Sequence, residues 1–501
     1  MDATTENCSF ADVTRASPPE RKVALFRSLF RGRDDLFARR FESARTGRSG
    51  YQPVCLNEWR RGVCDKKSVA CARCPNRQFV PLSDEAVTRH LTGADEQGRP
   101  FVMGLYPLLP DETCRFLAID LDQATWQEDA ASVLQAGRDL GLPFALERSR
   151  SGNGAHLWLF FAAPLPARLA RELGAAALTA AAERRARPGL DSYDRLFPNQ
   201  DTMPRGGFGN LIALPLQKQA RAAGNTVFLD DAFAPYDDQW AFLAQVRPMS
   251  AGEAEAVAGA ARGSGGCGIL GVRYPIVDDE VPPSPRHAVR GMPLPEGAKP
   301  GSVVARLSDV IAIERQALPA SLLNRLVRLA AFQNPKFYEA QAMRLNTFGI
   351  PRIISCAEVA GDAVALPRGC REEVEALFRA AGIRLEVRDE RNPGTPLDVA
   401  FAGELRPEQR AAAQAMLQHD TGVLAATTAF GKTVLAAWLI AQRGVNTLVL
   451  VNRRPLQEQW VARLSAFLGI SEKAIGRWGG GRKTLTWRID VALFQSLVRK
   501  G

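Results

Sequence analysis

The sequence lacks the segments that would place a protein across a membrane or export it. Its 501 residues contain no run of about eighteen apolar residues, the length a membrane-spanning helix needs. Residues 1–7 have neither the basic patch nor the apolar core of a secretory signal. No internal repeat is present. We therefore expect a cytoplasmic protein of about two to four domains.

Acidic residues are scarce relative to basic ones, and the imbalance is concentrated at one end. The formal net charge is +10, and residues 401–501 contain 14 Lys and Arg against 6 Asp and Glu. Such a surplus fits a polyanionic partner such as nucleic acid, although a merely solvated surface would also carry it. The charge therefore favours a partner class without establishing one.

Cysteine is sparse except in one short segment. Five of the nine cysteines are scattered singly, and the remaining four are Cys55, Cys64, Cys71 and Cys74. Thiolates at such spacing fold around a tetrahedral Zn²⁺ ion, and four of them leave no open coordination position. Two disulfides or an iron–sulfur cluster are the alternatives, and disulfides are disfavoured without an export signal. The segment is rich in basic residues: Arg60, Arg61, Lys66, Lys67, Arg73 and Arg77. We predict a structural zinc knuckle at residues 51–80.

Two carboxylates stand at the end of an apolar run. Residues 116–119 are apolar and lead directly into Asp120 and Asp122, with Leu121 between them. Side chains alternate faces along a strand, so both carboxylates would project to one side. Carboxylate pairs of this kind bind Mg²⁺ or Mn²⁺, which prefer oxygen ligands. The alternative is that this Asp-x-Asp pair only caps a turn.

A glycine-rich turn follows about thirty residues later. Ser151-Gly152-Asn153-Gly154-Ala155-His156 precedes a second apolar run, and residues 126–140 between the two runs have apolar side chains at helical intervals. This order predicts strand, helix and strand, with a right-handed crossover that brings both strand ends to one edge. The turn could then bind the phosphates that the metal ions bridge. The combination indicates nucleotidyl transfer.

A third segment, Tyr193 to Gln200, precedes an apolar stretch at residues 209–218. With it the chain resembles the archaeo-eukaryotic primase superfamily, in particular the primase-polymerase domain of TOTE conflict-system proteins, over residues 20–245. The resemblance implies that the metal-binding catalytic carboxylates are Asp120, Asp122 and a third aspartate. Asp194 is chosen for that position over Asp191 and Asp201 by its offset to Phe-Pro-Asn-Gln. The resemblance also implies that the incoming triphosphate is bound by Ser151 and His156, with Asn210 and Lys218 nearby. The family has Ser-x-His where four residues separate Ser151 from His156 here.

A second nucleotide site is indicated at residues 423–433. The order there is an apolar strand, a small-residue loop and a helix start, and Ala426 stands where the phosphate-loop pattern has its first glycine. Backbone N–H groups of such a loop point at phosphates, and Lys432 would reach the β- and γ-phosphates. The Thr433 hydroxyl would bind Mg²⁺.

The flanking segments at residues 405–409, 447–460 and 489–497 resemble the first RecA-like domain of a superfamily 2 helicase. The resemblance implies an ATP site formed by Gln409, Gly431, Lys432 and Thr433, and nucleic-acid contacts from Arg453, Arg454 and Gln495. The two arginines could instead be solvated loop charges. No Asp-Glu-x-His or Asp-Glu-Ala-Asp box lies between Thr433 and Gly501, and hydrolysis requires such acidic residues and a second domain. We therefore expect the helicase to be truncated at its C-terminus.

Composition shifts suggest where the parts begin and end. Residues 251–302 are rich in Gly, Ala, Pro and Ser, which is typical of a linker or of an ordered proline-rich arm. Residues 21–45 and 318–348 have helical patterns, and residues 360–401 read as strand, helix and strand. The predicted parts are a tail with an Arg-rich helical segment (1–50), the knuckle (51–80), an α+β primase-polymerase domain (81–248), the linker (249–302), an α/β domain preceding the helicase (303–400) and an incomplete RecA-like α/β domain (401–501).

The combined expectation is a multidomain α/β protein that joins a primase-polymerase to a helicase, from a mobile-element or defence conflict system. Its partners would be a DNA template and primer, with RNA as an alternative, nucleoside triphosphates and ATP, and its ions Mg²⁺ or Mn²⁺ and Zn²⁺. A restriction-type nuclease or translocase is a second interpretation, disfavoured because no Asp-…-Glu-x-Lys pattern surrounds Asp120. A non-catalytic nucleic-acid-binding protein is a third.

Overall fold

The structure is a computed structural model that describes residues 10–42, 47, 49–66, 68–122, 124–184, 193–263, 301–316, 318–345, 350 and 353–497. Contacts divide the chain into two compact units. The first unit comprises Met1–Val303, Ile313–Leu366 and Glu373–Leu385, and the second comprises Val304–Ala312, Pro367–Glu372 and Glu386–Gly501. Both contain helices and strands, in agreement with the predicted mixed α/β class.

The N-terminal part alternates helices and strands. The helices are α1 (Pro19–Leu29), α2 (Asp84–Thr92), α3 (Trp126–Leu140), α4 (Ala167–Arg184), α5 (Lys218–Ala222), α6 (Gln239–Gln245) and α7 (Ala251–Gly263). The strands are β1 (Ala38–Glu42), β2 (Ser49–Pro53), β3 (Met103–Leu105), β4 (Thr113–Asp122), β5 (Ala145–Arg148), β6 (Gly154–Pro166), β7 (Tyr193–Phe197), β8 (Ile212–Ala213) and β9 (Phe228–Leu229).

The central sheet of this part has the order β7-β4-β6-β5-β9, and its neighbouring strands are antiparallel. The two middle strands are apolar on both faces, which explains their nearly continuous hydrophobic runs. Leu117 and Ile119 of β4 pack on one side in a cluster with Val133 of α3, Leu173 of α4 and Ala254 of α7. Helices therefore cover this face of the sheet.

The opposite face packs against α1 and a second antiparallel sheet of order β2-β1-β3-β8. Phe116, Trp158 and Phe160 lie here, and the ring of Phe30 meets Trp158 edge-on at 5.0 Å and Phe160 at 5.2 Å. Aromatic pairs of this geometry stabilise a core by about 0.5–1.5 kcal/mol each beyond their buried area. The aromatic cluster fixes β6, the strand that begins at the glycine-rich turn.

The predicted strand–helix–strand crossover is wrong in its topology. Helix α3 is followed by β5, which forms a hairpin with β6, so β6 runs antiparallel to β4. The sequence analysis missed β5 because it is only four residues long. The end of β4 meets the start of β6 all the same, and Asp120 is paired directly with His156.

The helix predicted over residues 21–45 is correct only for residues 21–29 among the described residues. Helix α1 ends at Leu29, and residues from Ala38 onward form strand β1. A side chain at Gly32 would meet the backbone oxygen of Tyr106 at 2.5 Å, so the chain passes too close to another segment for a helix to continue.

The beginning of the predicted linker is helical. Helix α7 occupies residues 251–263, and its Ala254 and Ala258 are fully buried in the cluster that contains α4. Alanine is the best helix former and its small side chain permits close packing, so an Ala-rich stretch fits a packed helix as well as a linker. Residues 264–300 of the predicted linker lie outside the described residues.

The chain between residues 302 and 389 contains β10 (Ser302–Leu307), β11 (Val310–Glu314), α8 (Ala320–Leu329), β12 (Ala331–Gln333), α9 (Pro335–Ala342), β13 (Ile353–Ser355), β14 (Glu358–Ala360), β15 (Ala363–Pro367), α10 (Arg371–Ala381) and β16 (Arg384–Asp389). Strand β14 pairs with β15 and β12 pairs with β13, both antiparallel. The helices predicted within residues 318–348 and the strand, helix and strand predicted after residue 360 are present.

The C-terminal part is an α/β arrangement. Its elements are α11 (Pro407–Leu417), α12 (Lys432–Arg443), β17 (Thr447–Val451), α13 (Arg454–Leu468), β18 (Ile475–Gly479), β19 (Arg482–Thr484), β20 (Ile489–Leu493) and α14 (Phe494–Leu497). The sheet order is β17-β20-β18-β19, with β20 parallel to both β17 and β18. The strand predicted before the phosphate loop is absent, because residues 422–427 have neither helical nor strand structure.

Among the helices that the structure describes, none combines the length and the apolar character needed to cross a membrane.

Candidate functional site

Three carboxylates meet at one end of the central sheet. Asp120 is half-buried, Asp122 and Asp194 are exposed, and one oxygen atom from each lies within 4.8 Å of the others. Mg²⁺ binds oxygen at about 2.1 Å, which places opposite ligands of one ion about 4 Å apart. The spacing and the all-oxygen donor set therefore fit a hard divalent cation.

Strand register explains how the chain brings Asp194 to the other two. Strand β7 pairs with β4 so that Arg195 lies opposite Asp120 and Tyr193 opposite Leu121. Asp194 is thus the extra residue of a β-bulge, a feature that bends a strand and redirects a side chain. Its carboxylate also forms an ion pair with the neighbouring Arg195 guanidinium.

The surroundings of Asp120 change its ionisation. Burial raises the pKa of Asp120 to about 6; the charge of His156 opposes this shift, while Asp122 and Asp194 add to it. Like charges this close favour either a proton or a cation between them. A divalent cation would relieve that repulsion.

His156 lies between two carboxylates. Its Nε2 atom is 3.5 Å from Asp120 Oδ1, and its Nδ1 atom is 2.9 Å from Glu147 Oε2. Burial alone would lower its pKa, but the charge and hydrogen bond of Glu147, with contributions from Asp120 and Asp122, raise the pKa of His156 to about 9. At neutral pH the ring is therefore an imidazolium, which donates from both nitrogens and attracts anions.

The turn before His156 approaches the carboxylates closely. Gly154 pairs with Asp122, and a side chain there would overlap the Leu121 carbonyl oxygen and lie 2.8 Å from Asp122 Oδ1. The hydroxyl of Ser151 is 3.0 Å from Ser149 Oγ and accepts the backbone N–H of Asn153 at 3.2 Å. Ser151 therefore lies in this turn, with its hydroxyl engaged in bonds within the turn.

The other two predicted nucleotide-binding residues differ in environment. The Asn210 side chain accepts the backbone N–H of Asn199 at 3.1 Å and donates to the Leu196 carbonyl at 3.1 Å, so it braces the chain at and after β7. Lys218 is exposed and is the first residue of helix α5. Their binding roles stay predictions.

Sequence reasoning missed Glu147. This carboxylate is 1% exposed and accepts hydrogen bonds from His156 and from the indole N–H of Trp158. A single acidic residue in the short apolar run of residues 144–147, nine positions before His156, was the available signal. The sequence analysis did not use this signal because it did not recognise β5 as a strand.

The four clustered cysteines line one cavity with Lys66. Their thiols are free, a 3₁₀ helix spans Cys71–Arg73, and the backbone N–H of Gln78 donates to Cys55 Sγ at 3.3 Å. Four sulfurs at about 2.3 Å from Zn²⁺ would lie about 3.8 Å apart. Among the described residues, however, only the acidic triad has three or more ligand atoms within 4.8 Å of one another. The structure brings the cysteines together without forming a zinc geometry, so zinc stays a prediction.

The predicted ATP-binding residues meet around the start of α12. Gly431 has φ +91° at the helix N-cap, where a side chain would collide with the Gln409 amide. The buried Gln409 side chain accepts the Arg406 N–H at 3.0 Å and donates to the Phe430 carbonyl at 2.6 Å. Lys432 and Thr433 begin the helix. The Lys432 ammonium donates to the carbonyls of Ala426 and Thr427, at 2.7 and 2.8 Å.

The predicted nucleic-acid contacts lie at the ends of β17 and β20. These parallel strands end in register, and Gln495 donates to the Asn452 carbonyl at 2.9 Å. Arg453 is the exposed N-cap residue of α13, and Arg454 forms an ion pair with Glu458 at 3.1 Å. The structure thus groups the three residues at one edge of the sheet.

Comparison with known proteins gives two family matches. Residues 21–257 match the family described as the TOTE conflict system, Archaeo-Eukaryotic Primase domain, and residues 402–501 match the family described as the Type III restriction enzyme, res subunit.

Similar proteins match the C-terminal part. A candidate DNA 3'-5' helicase, Rad25, of Halobacterium salinarum is 35% identical over 112 residues, which cover 22% of this chain and 18% of that protein. The DNA 3'-5' helicase XPB of Mycobacterium tuberculosis is 31% identical over 97 residues, which cover 19% of this chain and 18% of that protein. The chain thus spans less than a fifth of the length of these two relatives.

Among solved structures, the polymerase domain of Mycobacterium tuberculosis Ligase D in complex with DNA aligns with 51% of this chain and 87% of its own, at 14% identity and a TM-score of 0.26. A score this low does not establish a shared fold.

The two family matches coincide with the two sets of residues described above. Residues 21–257 are a TOTE conflict-system archaeo-eukaryotic primase domain, and residues 402–501 are a superfamily 2 helicase region similar to the XPB and Rad25 helicases.

Proposed function

We propose that the primase domain is a nucleic-acid-templated nucleotidyltransferase. The observation that carries the proposal is the gathering of Asp120, Asp122 and Asp194 beside His156 at the end of one antiparallel sheet. Archaeo-eukaryotic primases use divalent metals and nucleoside triphosphates, and an acidic triad of this kind is the donor set that such metals require.

In this proposal Asp120, Asp122 and Asp194 hold Mg²⁺ or Mn²⁺. Bound metal ions would stabilise charge on the attacking hydroxyl and on the leaving phosphate. Asp122 and Asp194 are exposed and can reach an entering ion, while half-buried Asp120 anchors it from the sheet. The three residues therefore combine access with a fixed position.

His156 binds the triphosphate in this proposal. Glu147 raises the pKa of the ring, and its Nε2 atom faces the acidic triad. A cation at this place attracts the phosphates and holds them next to the metal ligands. Ser151 and Lys218 are proposed as further phosphate contacts, and Asn210 as a brace for the strand that carries Asp194.

The proposed partners are a DNA template and primer, with RNA as an alternative. The net charge of +10 supports a polyanionic partner. In the helicase region we propose ATP binding by Gln409, Gly431, Lys432 and Thr433, and contact with the nucleic-acid backbone by Arg453, Arg454 and Gln495. Their grouping at the start of α12 and at the ends of β17 and β20 supports this assignment.

We also propose that Cys55, Cys64, Cys71 and Cys74 bind one structural Zn²⁺. The four line one cavity, and the half-buried Lys66 ammonium beside them would offset the charge of a tetrathiolate site. Elemental analysis should find one zinc per chain, lost in Cys74→Ser and kept in the control Cys356→Ser, which alters an exposed cysteine outside the cavity. Purified protein without zinc, or with iron and visible absorbance, would refute the site.

Incorporation of labelled nucleotides by the full chain tests the central proposal. Wild-type protein with Mg²⁺ or Mn²⁺ should extend a primed template, and an unprimed template shows whether synthesis also starts without a primer. Cleavage of the template without incorporation would instead support the nuclease interpretation. Binding without either reaction would support a non-catalytic role.

A further inference from the structure

The metal and phosphate roles proposed above do not use Glu147, a buried charged residue. Glu147 lies on β5 and is 1% exposed. Its Oε2 atom accepts two hydrogen bonds, from His156 Nδ1 at 2.9 Å and from Trp158 Nε1 at 2.7 Å. A buried carboxylate is costly unless its partners compensate it, so this arrangement calls for a specific role.

Strand pairing aligns Glu147 with the site. Glu147 on β5 lies opposite His156 on β6, and His156 lies opposite Asp120 on β4. Directly paired residues of antiparallel strands project from the same face of the sheet, so the three side chains form one row. The imidazole therefore stands between Glu147 on its Nδ1 side and Asp120 on its Nε2 side.

The second donor to Glu147 is immobile. Trp158 is completely buried, and its ring contacts those of Phe30 at 5.0 Å and Phe116 at 5.2 Å. Because the indole cannot move in a close-packed core, it holds the carboxylate independently of His156. Glu147 is thus a fixed acceptor, and the imidazole is the group that it orients.

We propose that Glu147 is a positioning residue for nucleotide binding: by holding Nδ1 of His156 at 2.9 Å, it fixes the imidazole ring so that its Nε2 edge faces the phosphates of the incoming nucleoside triphosphate. The proposal rests on the role given to His156 above, and in it Glu147 acts through the histidine. A ring without this partner would lose the contact that fixes its orientation, so the phosphates would lose an oriented imidazole. The affinity for the nucleotide should therefore fall, while the carboxylates that hold the metal remain in place.

The kinetic test uses the full chain and Glu147→Gln, which keeps the side-chain shape. The Michaelis constant for the nucleotide should rise about tenfold, as for other groups that orient a ligand through a histidine. The turnover number should stay within about twofold, because the variant leaves the metal ligands untouched. Asp237→Asn, which changes an exposed acid on the same unit, serves as the matched control and should leave both constants unchanged.

A double-mutant cycle separates positioning from general stabilisation. If Glu147 acts through His156, then Glu147→Gln should raise the Michaelis constant no further once His156→Ala is present. Multiplicative effects of the two substitutions would overturn the proposal, as would a lower turnover number with an unchanged Michaelis constant.

If Glu147→Gln does not fold, the same Michaelis constant is measured for Glu147→Asp, which keeps the buried charge and shortens the side chain. An unchanged Michaelis constant in that variant would also overturn the proposal.

Calorimetric binding of a nucleoside triphosphate with Mg²⁺, compared in the Lys432→Ala background so that the proposed ATP site contributes little, gives a readout that needs no turnover. Wild-type protein that binds the nucleotide but does not incorporate it would contradict the proposed activity and leave the Glu147 comparison intact. Binding about tenfold weaker in Glu147→Gln supports the positioning role even then, and equal binding by both proteins refutes it.

Discussion

In the primase domain, the chemistry-bearing side chains project from paired strands, and in the helicase region they follow a loop. Asp120, His156 and Glu147 are fixed by the register of β4, β5 and β6 over a buried aromatic cluster. Lys432 instead follows residues without regular structure, and its ammonium binds the carbonyls of Ala426 and Thr427. The acidic site therefore has its geometry before ligands arrive, whereas Lys432 must exchange protein carbonyls for phosphate oxygens. This difference suggests that the acidic site should tolerate few substitutions and that the loop should reorganise on binding.

The largest expected effect is on the acidic site. Asp122→Ala should reduce nucleotide incorporation by about 100- to 1000-fold, because loss of a metal ligand removes several kcal/mol of transition-state stabilisation. Asp122 is exposed, so the thermal unfolding midpoint should change little. Primer extension and circular dichroism measure the two quantities. Undiminished incorporation by the Asp120→Ala, Asp122→Ala double variant would show that these residues take no part in the reaction.

The primase domain should also be sensitive to acid through a histidine remote from the triad. His90 is completely buried between the Pro215 carbonyl and the Met103 N–H, and burial lowers its pKa to about 4. The unfolded chain binds this proton near pH 6.5, so the neutral histidine stabilises the fold above pH 6.5. That stability is lost as the pH falls from 6.5 to 4. The difference amounts to about 3 kcal/mol.

The free energy of unfolding, measured in denaturant at several pH values, tests this expectation. His90→Gln, which can still accept and donate a hydrogen bond, should flatten the profile between pH 6.5 and 4. A wild-type profile that is already flat in this window would show that His90 is not held neutral.

Substitution of Lys432 tests the helicase loop and shows whether the acidic site is independent of it. Lys432→Ala should weaken ATP binding about 10- to 100-fold, the range for loss of a charged hydrogen bond. Nucleotide incorporation at the acidic site should stay unchanged, because Lys432 lies in the second compact unit and the acidic site in the first. Fluorescent ATP titration and primer extension on the same preparations provide both readouts. An equal loss of incorporation would show that the two sites are coupled.

The smallest effect concerns the turn beside Asp122. Gly154→Ala places a methyl group 2.8 Å from Asp122 Oδ1 and against the Leu121 carbonyl, so the strands must separate. Overpacking of this kind costs about 1–3 kcal/mol of stability and should also lower incorporation. Gly252→Ala is the matched control, since a methyl group there meets no atom within 4 Å. Similar unfolding midpoints for the two variants would contradict the close approach of the turn.

The sequence analysis identified those site residues that lie next to long apolar runs or within motifs of a known family. The apolar runs before Asp120 and after His156 gave their strands correctly, and the family resemblance matched the primase and helicase segments that the comparisons show. The antiparallel topology was missed because β5 is four residues long and too short for periodicity to reveal. Glu147 was missed for the same reason.

Other errors had tertiary causes. Helix α7 was read as linker because alanine fits both, and only its packing on α4 distinguishes them. The strand expected before the phosphate loop does not form, although its residues are apolar, because strand formation depends on pairing partners that composition does not show. Local patterns therefore predicted elements, and the assembly of the sites depended on contacts between distant segments.

Manganese binding, measured by electron paramagnetic resonance, tests the account's central claim most directly. Wild-type protein should bind Mn²⁺ without any nucleic acid, because the strand register alone holds Asp120, Asp122 and Asp194 together. Asp120→Asn should lose that binding, while Lys432→Ala and Asp237→Asn should retain it. Wild-type protein that binds no Mn²⁺ at millimolar concentration, or equal binding by Asp120→Asn, would contradict the claim that these three carboxylates form a preorganised metal site.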